Sequence, residues 1–182
     1  MSIFSIGPRI NSQNRKTGGL LFLLSLVMTM LLTGFTDHRN GKPFSPWLTN
    51  LEQAERQAQK DQKAILVCFS GSDWCRPCML LEKGVFESKV FTKFAKKNLH
   101  LVRIDFPARK KNRLSEEQAA YNEHLAERYN QRGEFPLVVL LDKDGNVAGH
   151  ISGYQREGAG KYVAHLKRLI GKMRLAQDES SK

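Results

Sequence analysis

The residues of this chain best suited to chemistry are gathered in Trp74-Cys75-Arg76-Pro77-Cys78. Two cysteines at i and i+3 in the first turn of a helix lie on one face, close enough for their sulfurs to bond. Cys75, the N-terminal one, meets unpaired backbone N–H groups and the positive end of the helix dipole, both of which favour a thiolate. Its pKa is therefore expected below the ~8.5 of a free thiol. Arg76 adds a positive charge next door, and Pro77 is tolerated in a first helical turn, where it stiffens the loop. Cys78, one turn deeper, is expected to be the less exposed of the two and suits a resolving thiol. The same spacing also serves a structural disulfide or half of a zinc site. Zinc needs four ligands, and no second cysteine pair or Cys/His cluster is present; His38, His100, His124, His150 and His165 are scattered singly. No metal is expected.

Such a pair needs a strand to deliver it and a helix to begin on it. Ala64-Ile-Leu-Val-Cys-Phe69 is an apolar run without polar alternation, as in a strand covered on both faces. Gly71-Ser72-Asp73 breaks it, and a helix carrying the cysteines is expected over about 75–86. Upstream, Ser45-Pro46 resembles an N-cap and first helical residue, and Trp47, Leu48, Leu51, Ala54 and Ala58 recur at helical spacing, predicting a helix over about 46–60. Ser88 caps a short helix through Val90, Phe91, Phe94 and Ala95. Leu99–Asp105 is a second strand, and Phe106–Arg113 a basic loop. Ser115-Glu-Glu-Gln118 is a capping-box pattern opening a helix that runs to about Gln131, with Gly133 closing it. Phe135–Leu141 is a third strand, and Asp142-Lys-Asp-Gly145 turns into a fourth over Asn146–Ser152. A last helix covers about 157–176. Helices between early strands imply parallel pairing and the late hairpin an antiparallel pair, hence a mixed four-stranded sheet with helices on both faces.

The chain of 182 residues carries 29 Lys+Arg against 18 Asp+Glu, is 41% hydrophobic and 26% charged, and has three cysteines. Those fractions suit a globular domain and argue against disorder, and three cysteines are too few for a disulfide-stapled miniprotein. Residues 1–34 hold three basic residues and no acid, with an apolar run over Leu20–Leu32. That run falls short of the roughly 20 residues of a bilayer span and reads as a signal peptide or an N-terminal anchor. Either one exports the remainder of the chain, to the periplasm or to the membrane surface facing it. Residues 35–45 form a linker, 46–176 the domain, and 177–182 a polar tail. A chain beginning near Phe35 has 26 basic and 18 acidic residues, net +8. Arg109-Lys-Lys-Asn-Arg113 lacks the interleaved aromatics of a nucleic-acid patch and reads as a solvated loop, so no nucleic-acid partner is expected. The basic surface as a whole suits attraction of acidic partner proteins or anionic lipid headgroups.

Ala64–Cys78 resembles the active-site strand and helix of the thioredoxin superfamily, and Tyr129-Asn-Gln-Arg-Gly-Glu-Phe-Pro-Leu-Val-Val-Leu-Leu141 resembles the segment that ends in its cis-proline, here Pro136. The Gly-Ser-Asp-Trp-Cys form is most similar to exported bacterial thioredoxin-like proteins. The resemblance implies a three-layer α/β/α sandwich and a thiol–disulfide oxidoreductase that exchanges disulfides with protein substrates and a redox partner, with no cofactor. In that scheme Cys75 attacks and Cys78 resolves, Trp74, Phe135 and Pro136 contact the substrate, and Arg76 and Pro77 tune the pair. Three departures accompany it. Cys68 stands where a buried acid is usual, so no general base is assigned, and Cys68 itself reads as a buried small hydrophobe. One extra residue precedes the pair. Glu134 separates Gly133 from Phe135-Pro136. Two other uses of the fold stand beside this one: a non-catalytic binding module such as a metallochaperone, and a dedicated reductant of one client, of the cytochrome c maturation type.

Overall fold

The computed structural model describes residues 47–180. The expected signal or anchor, the linker, the Ser45-Pro46 helix start and the last two residues of the tail lie outside the described residues.

The apolar run becomes strand β2, here Ala64–Ser70, buried along its whole length. Its side chains alternate between two layers. Ala64, Leu66 and Cys68 enter one apolar cluster, and Ile65, Val67 and Phe69 the other. Full burial of each large side chain contributes roughly 1.5–3 kcal/mol, which makes this strand the spine of the sheet. It pairs in parallel with β3 (Leu99–Asp105), from Ala64 opposite Leu99 to Ser70 opposite Asp105. On its other side it runs antiparallel to β4 (Leu137–Leu141), with Phe69 opposite Leu137. β5 (Val147–Ser152) follows antiparallel outside β4.

A fifth strand corrects the four-stranded expectation. Trp47–Leu48 is β1, parallel to β3 at Leu101 and Val102, giving the order β1-β3-β2-β4-β5. The predicted helix over 46–60 accordingly starts later, as α1 over Leu51–Asp61. The Asn50 side chain supplies the cap by accepting from the Gln53 N–H at 2.7 Å. Trp47 packs against Phe86 at 5.0 Å, with the Arg103 guanidinium 4.3 Å over its ring, so the aromatic is better placed on the sheet edge than in a helix.

α2 covers only Arg76–Leu81 and passes into a wide π-type turn over Glu82–Phe86, which lets the adjacent Val85 and Phe86 both reach the core. α3 (Lys89–Asn98) begins on Ser88, whose Oγ accepts from the Phe91 N–H. α4 (Glu116–Tyr129) begins on Ser115 as expected, but Gln118 does not complete the capping box. Its amide donates instead to the Thr49 carbonyl and to Asn122 Oδ1. α4 also ends before Gln131. Asn130 exchanges hydrogen bonds with the Glu134 backbone, and Gly133, at φ +62°, donates to the Asn130 carbonyl. α5 runs over Gly158–Ser180, past the expected end, and Gln177 donates to Asp142 Oδ2. α2, α3 and α5 cover the Leu66 face of the sheet, while α1 and α4 cover the Val67 face. The three-layer α/β/α sandwich is thus realised with five strands.

Candidate active site

The cysteines stand where β2 hands the chain to α2. The Gly71 carbonyl accepts from the N–H groups of Trp74 and Cys75, turning the backbone into the helix. Cys75 is the N-cap, its sulfur accepting from the Cys78 N–H at 3.3 Å, and Pro77 sits in the first turn. The two sulfurs are bonded at 2.08 Å, with Cα atoms 5.3 Å apart. The expected difference in exposure is not found: Cys75 is 4% exposed and Cys78 5%. In this oxidised form the Cys75 sulfur is turned back over the start of α2 toward its partner. The exposed Trp74, Arg76 and Pro77 form the rim instead.

Trp74 is 49% exposed yet fixed. Its indole N–H donates to the Phe106 carbonyl at 2.7 Å, and its ring meets Phe135 edge-on at 5.5 Å. Phe106 meets Phe135 edge-on as well, at 5.4 Å. The ring lies so close over Gly71 that a Cβ there would stand 2.3 Å from Trp74 Cε2, so only glycine admits this packing. The Phe135–Pro136 peptide is cis, and the pairing of Leu137 with Phe69 puts it at the end of the sheet where β2 leaves for Gly71. The Pro136 carbonyl accepts from the Gly153 N–H.

The structure thus brings together Trp74, Cys75, Arg76, Pro77, Cys78, Phe135 and Pro136. It adds residues that sequence reasoning passed over. Asp73 Oδ1 accepts from the Ala108 N–H, and Oδ2 accepts from the Arg109 N–H and the Asn112 amide, at 2.8–3.0 Å. Desolvation would raise the Asp73 pKa, but the bonds from Ala108, Asn112 and Arg109 outweigh it and hold the carboxyl below its ordinary value. Asp105, level with Ser70 at the end of β3, accepts from the Ser72 N–H and hydroxyl at 2.9 and 2.6 Å. The Gly-Ser-Asp run ahead of Trp74 was the available signal, since Ser and Asp in a turn seek backbone donors and acceptors.

Cys68 is fully enclosed, and burial pushes its thiol up to about 12 against the pull of Arg103. It packs as a small hydrophobe in the Leu66 layer of the core. Arg103, its partner on β3, pairs with Glu82, whose carboxyl is raised by burial despite that cation. Among the described residues, no group of three or more His, Cys, Asp or Glu is arranged to hold a metal ion.

The thioredoxin-like family model matches residues 46–143. A disulfide bond reductase of Chlamydia pneumoniae, DsbH, is 36% identical over 124 residues, which cover 68% of this chain and 72% of the relative. The chain belongs to the thioredoxin-like family. The thioredoxin-related protein DsbJ of the same organism is 26% identical over 123 residues, 66% of this chain but only 34% of that relative's length. A solved DsbH oxidoreductase superposes with a TM-score of 0.62 at 33% identity, covering 69% of this chain and 83% of the other. With its Cys75–Cys78 pair bonded at a helix start, this thioredoxin-like chain is a thiol–disulfide oxidoreductase.

Proposed function

We propose that the chain reduces disulfides in exported proteins, Cys75 attacking and Cys78 resolving. The observation that carries this reading is the Cys75–Cys78 bond at the N-cap of α2, beside an exposed Trp74. In the reduced form the Cys75 thiolate attacks one sulfur of a substrate disulfide, forming a mixed disulfide and releasing the other substrate sulfur as a thiolate, which takes up a proton. The Cys78 thiolate then attacks the Cys75 sulfur. The intramolecular bond forms, the mixed disulfide breaks, and the second substrate thiolate leaves. Two electrons pass to the substrate, and a dithiol protein donor must return them. The name of the Chlamydia relative, a disulfide bond reductase, supports the reducing direction.

Trp74, Phe135 and Pro136 serve as the substrate contact surface. None of the backbone hydrogen bonds of turns and loops among the described residues uses Phe135, so its N–H and carbonyl remain for an incoming chain. Arg76 and Pro77 tune the pair from exposed positions in the first turn of α2. Export rests on the basic flank and apolar run of residues 1–34, acting as a signal peptide or as an anchor that keeps the domain in the periplasm. No helix among the described residues is long and apolar enough to cross a membrane.

Insulin reduction in dithiothreitol tests the activity. Wild type is expected to accelerate precipitation, Cys75→Ser to fall to background, and Cys78→Ser to accumulate a mixed disulfide with substrate. Background rates for wild type would refute the reading. The reduction potential of the Cys75–Cys78 couple tests the direction: a value near that of reducing thioredoxins, about −270 mV, is expected, and one near −120 mV would make the chain an oxidant.

A further inference from the structure

We propose that the loop Arg109–Arg113 is a docking site for acidic residues flanking the client's cysteines, which makes extended, acid-bearing segments the preferred substrate class; this rests on the reductase reading above. By composition the loop is a solvated turn. In the structure it is bound to the active-site turn. Asp73, two residues before Cys75, holds the Ala108 and Arg109 N–H groups and the Asn112 amide. Asp105 holds Ser72, and the Phe106 carbonyl holds the Trp74 indole. The basic run therefore has a fixed place beside the exposed Trp74 and its aromatic partners Phe135 and Phe106.

Charge complementarity identifies the occupant. Asp73 and Asp105 are both turned onto uncharged donors within the clamp. Arg109, Lys110, Lys111 and Arg113 are all exposed, as is Arg76. None of the five enters an ion pair among the described residues, although the Arg109 charge helps to lower the Asp73 carboxyl. Glu116 and Glu117 follow in the first turn of α4 and also form no ion pair with the loop. A client strand laid over Trp74 would put its apolar part on the rings and its flanking residues within reach of these cations. Clustered charge of one sign raises encounter rates by ten-fold or more at low ionic strength, and salt screens the effect.

The test follows oxidation of the reduced full-length protein by three disulfide-linked peptides of equal length, whose cysteines are flanked by Asp, Asn or Lys. The acidic peptide is expected to react roughly ten-fold faster than the uncharged one at about 20 mM salt, the basic one slower still, with the rates converging near 0.5 M. In the Lys110→Glu/Lys111→Glu variant the acidic-to-uncharged ratio is expected to fall below one. A ratio within one variant cancels any change in thiol reactivity or in the folded fraction. Equal rates for the three peptides, or an acidic preference that survives in the variant, overturns the docking site alone. Failure of the wild type to react with any of the three overturns the reductase reading and this proposal with it. Binding to phosphatidylglycerol vesicles that needs Lys110 and Lys111, with no discrimination among peptides, assigns the loop to a lipid surface and also overturns the proposal.

Discussion

The indole N–H of Trp74 donates to the carbonyl oxygen of Phe106 at 2.7 Å, joining the residue before the reactive pair to one 32 positions along the chain. The rim of the site is therefore held by the loop that leaves β3, as well as by the helix on which the cysteines lie.

Gly71 makes that bond possible, because any side chain would collide with the indole. Gly71→Ala is expected to displace Trp74 and break its bond to Phe106, destabilising the fold by about 1–3 kcal/mol, as overpacking does. Urea unfolding and tryptophan emission check this, together with a slower insulin-reduction rate. An unchanged midpoint and spectrum would contradict the packing described.

Asp73 is expected to control the order of the basic loop. Removing its carboxylate in Asp73→Ala leaves the Ala108, Arg109 and Asn112 donors to water. Limited trypsin digestion should then cut after Arg109, Lys110, Lys111 or Arg113 several-fold faster than in the wild type, with the global unfolding midpoint little altered. Equal cleavage rates would show that the clamp does not restrain the loop.

Acid should weaken the fold through Asp142. Burial alone would raise its pKa, but the Asn146 side chain and N–H, the Asp144 N–H and the Gln177 amide more than offset this and lower it. A carboxyl whose folded pKa is depressed contributes stability that is complete above its unfolded pKa and is lost as pH falls through the folded one. The urea midpoint is expected to hold from pH 7 to about 5 and to drop below about 4. Asp142→Asn should flatten that acid slope while lowering the neutral-pH plateau. A wild-type slope preserved in the variant would place the titration elsewhere.

Cys68 should behave as a hidden thiol. With its pKa pushed up to about 12 and its side chain enclosed, the thiolate fraction at pH 8 is about one in ten thousand. The oxidised native protein is expected to give no reaction with Ellman's reagent, and one thiol per chain after denaturation without reductant. Rapid labelling of the native oxidised form would show that Cys68 is accessible.

What the sequence disclosed and what it hid divide by distance along the chain. β3 spans Leu99–Asp105, as its apolar pattern predicts, and Ser88 and Ser115 cap their helices. The cysteine pair and the Phe135-Pro136 dipeptide were equally visible, because each is written in adjacent residues. β1 was not. Two residues carry no period, and the partner of Trp47 is Leu101. The capping box misled for a related reason: whether Gln118 returns to its own helix or reaches Thr49 is decided by a residue 69 positions away. The clamp between Asp73 and Asn112, 39 residues apart, left only a polar turn as its trace. Exposure of the two cysteines was argued from helical depth alone, which omits how the bonded sulfurs turn toward each other.

The bridge between Cys75 and Cys78 closes a ring over a sequence separation of three. A cross-link so short removes about 2 kcal/mol of freedom from an unfolded chain, less than half of what one joining distant segments removes. The domain keeps its two apolar layers in either oxidation state, and its thermal midpoint should fall by several degrees on reduction while unfolding remains a single transition. Electrons can enter and leave at the surface without the architecture having to melt or rebuild around them.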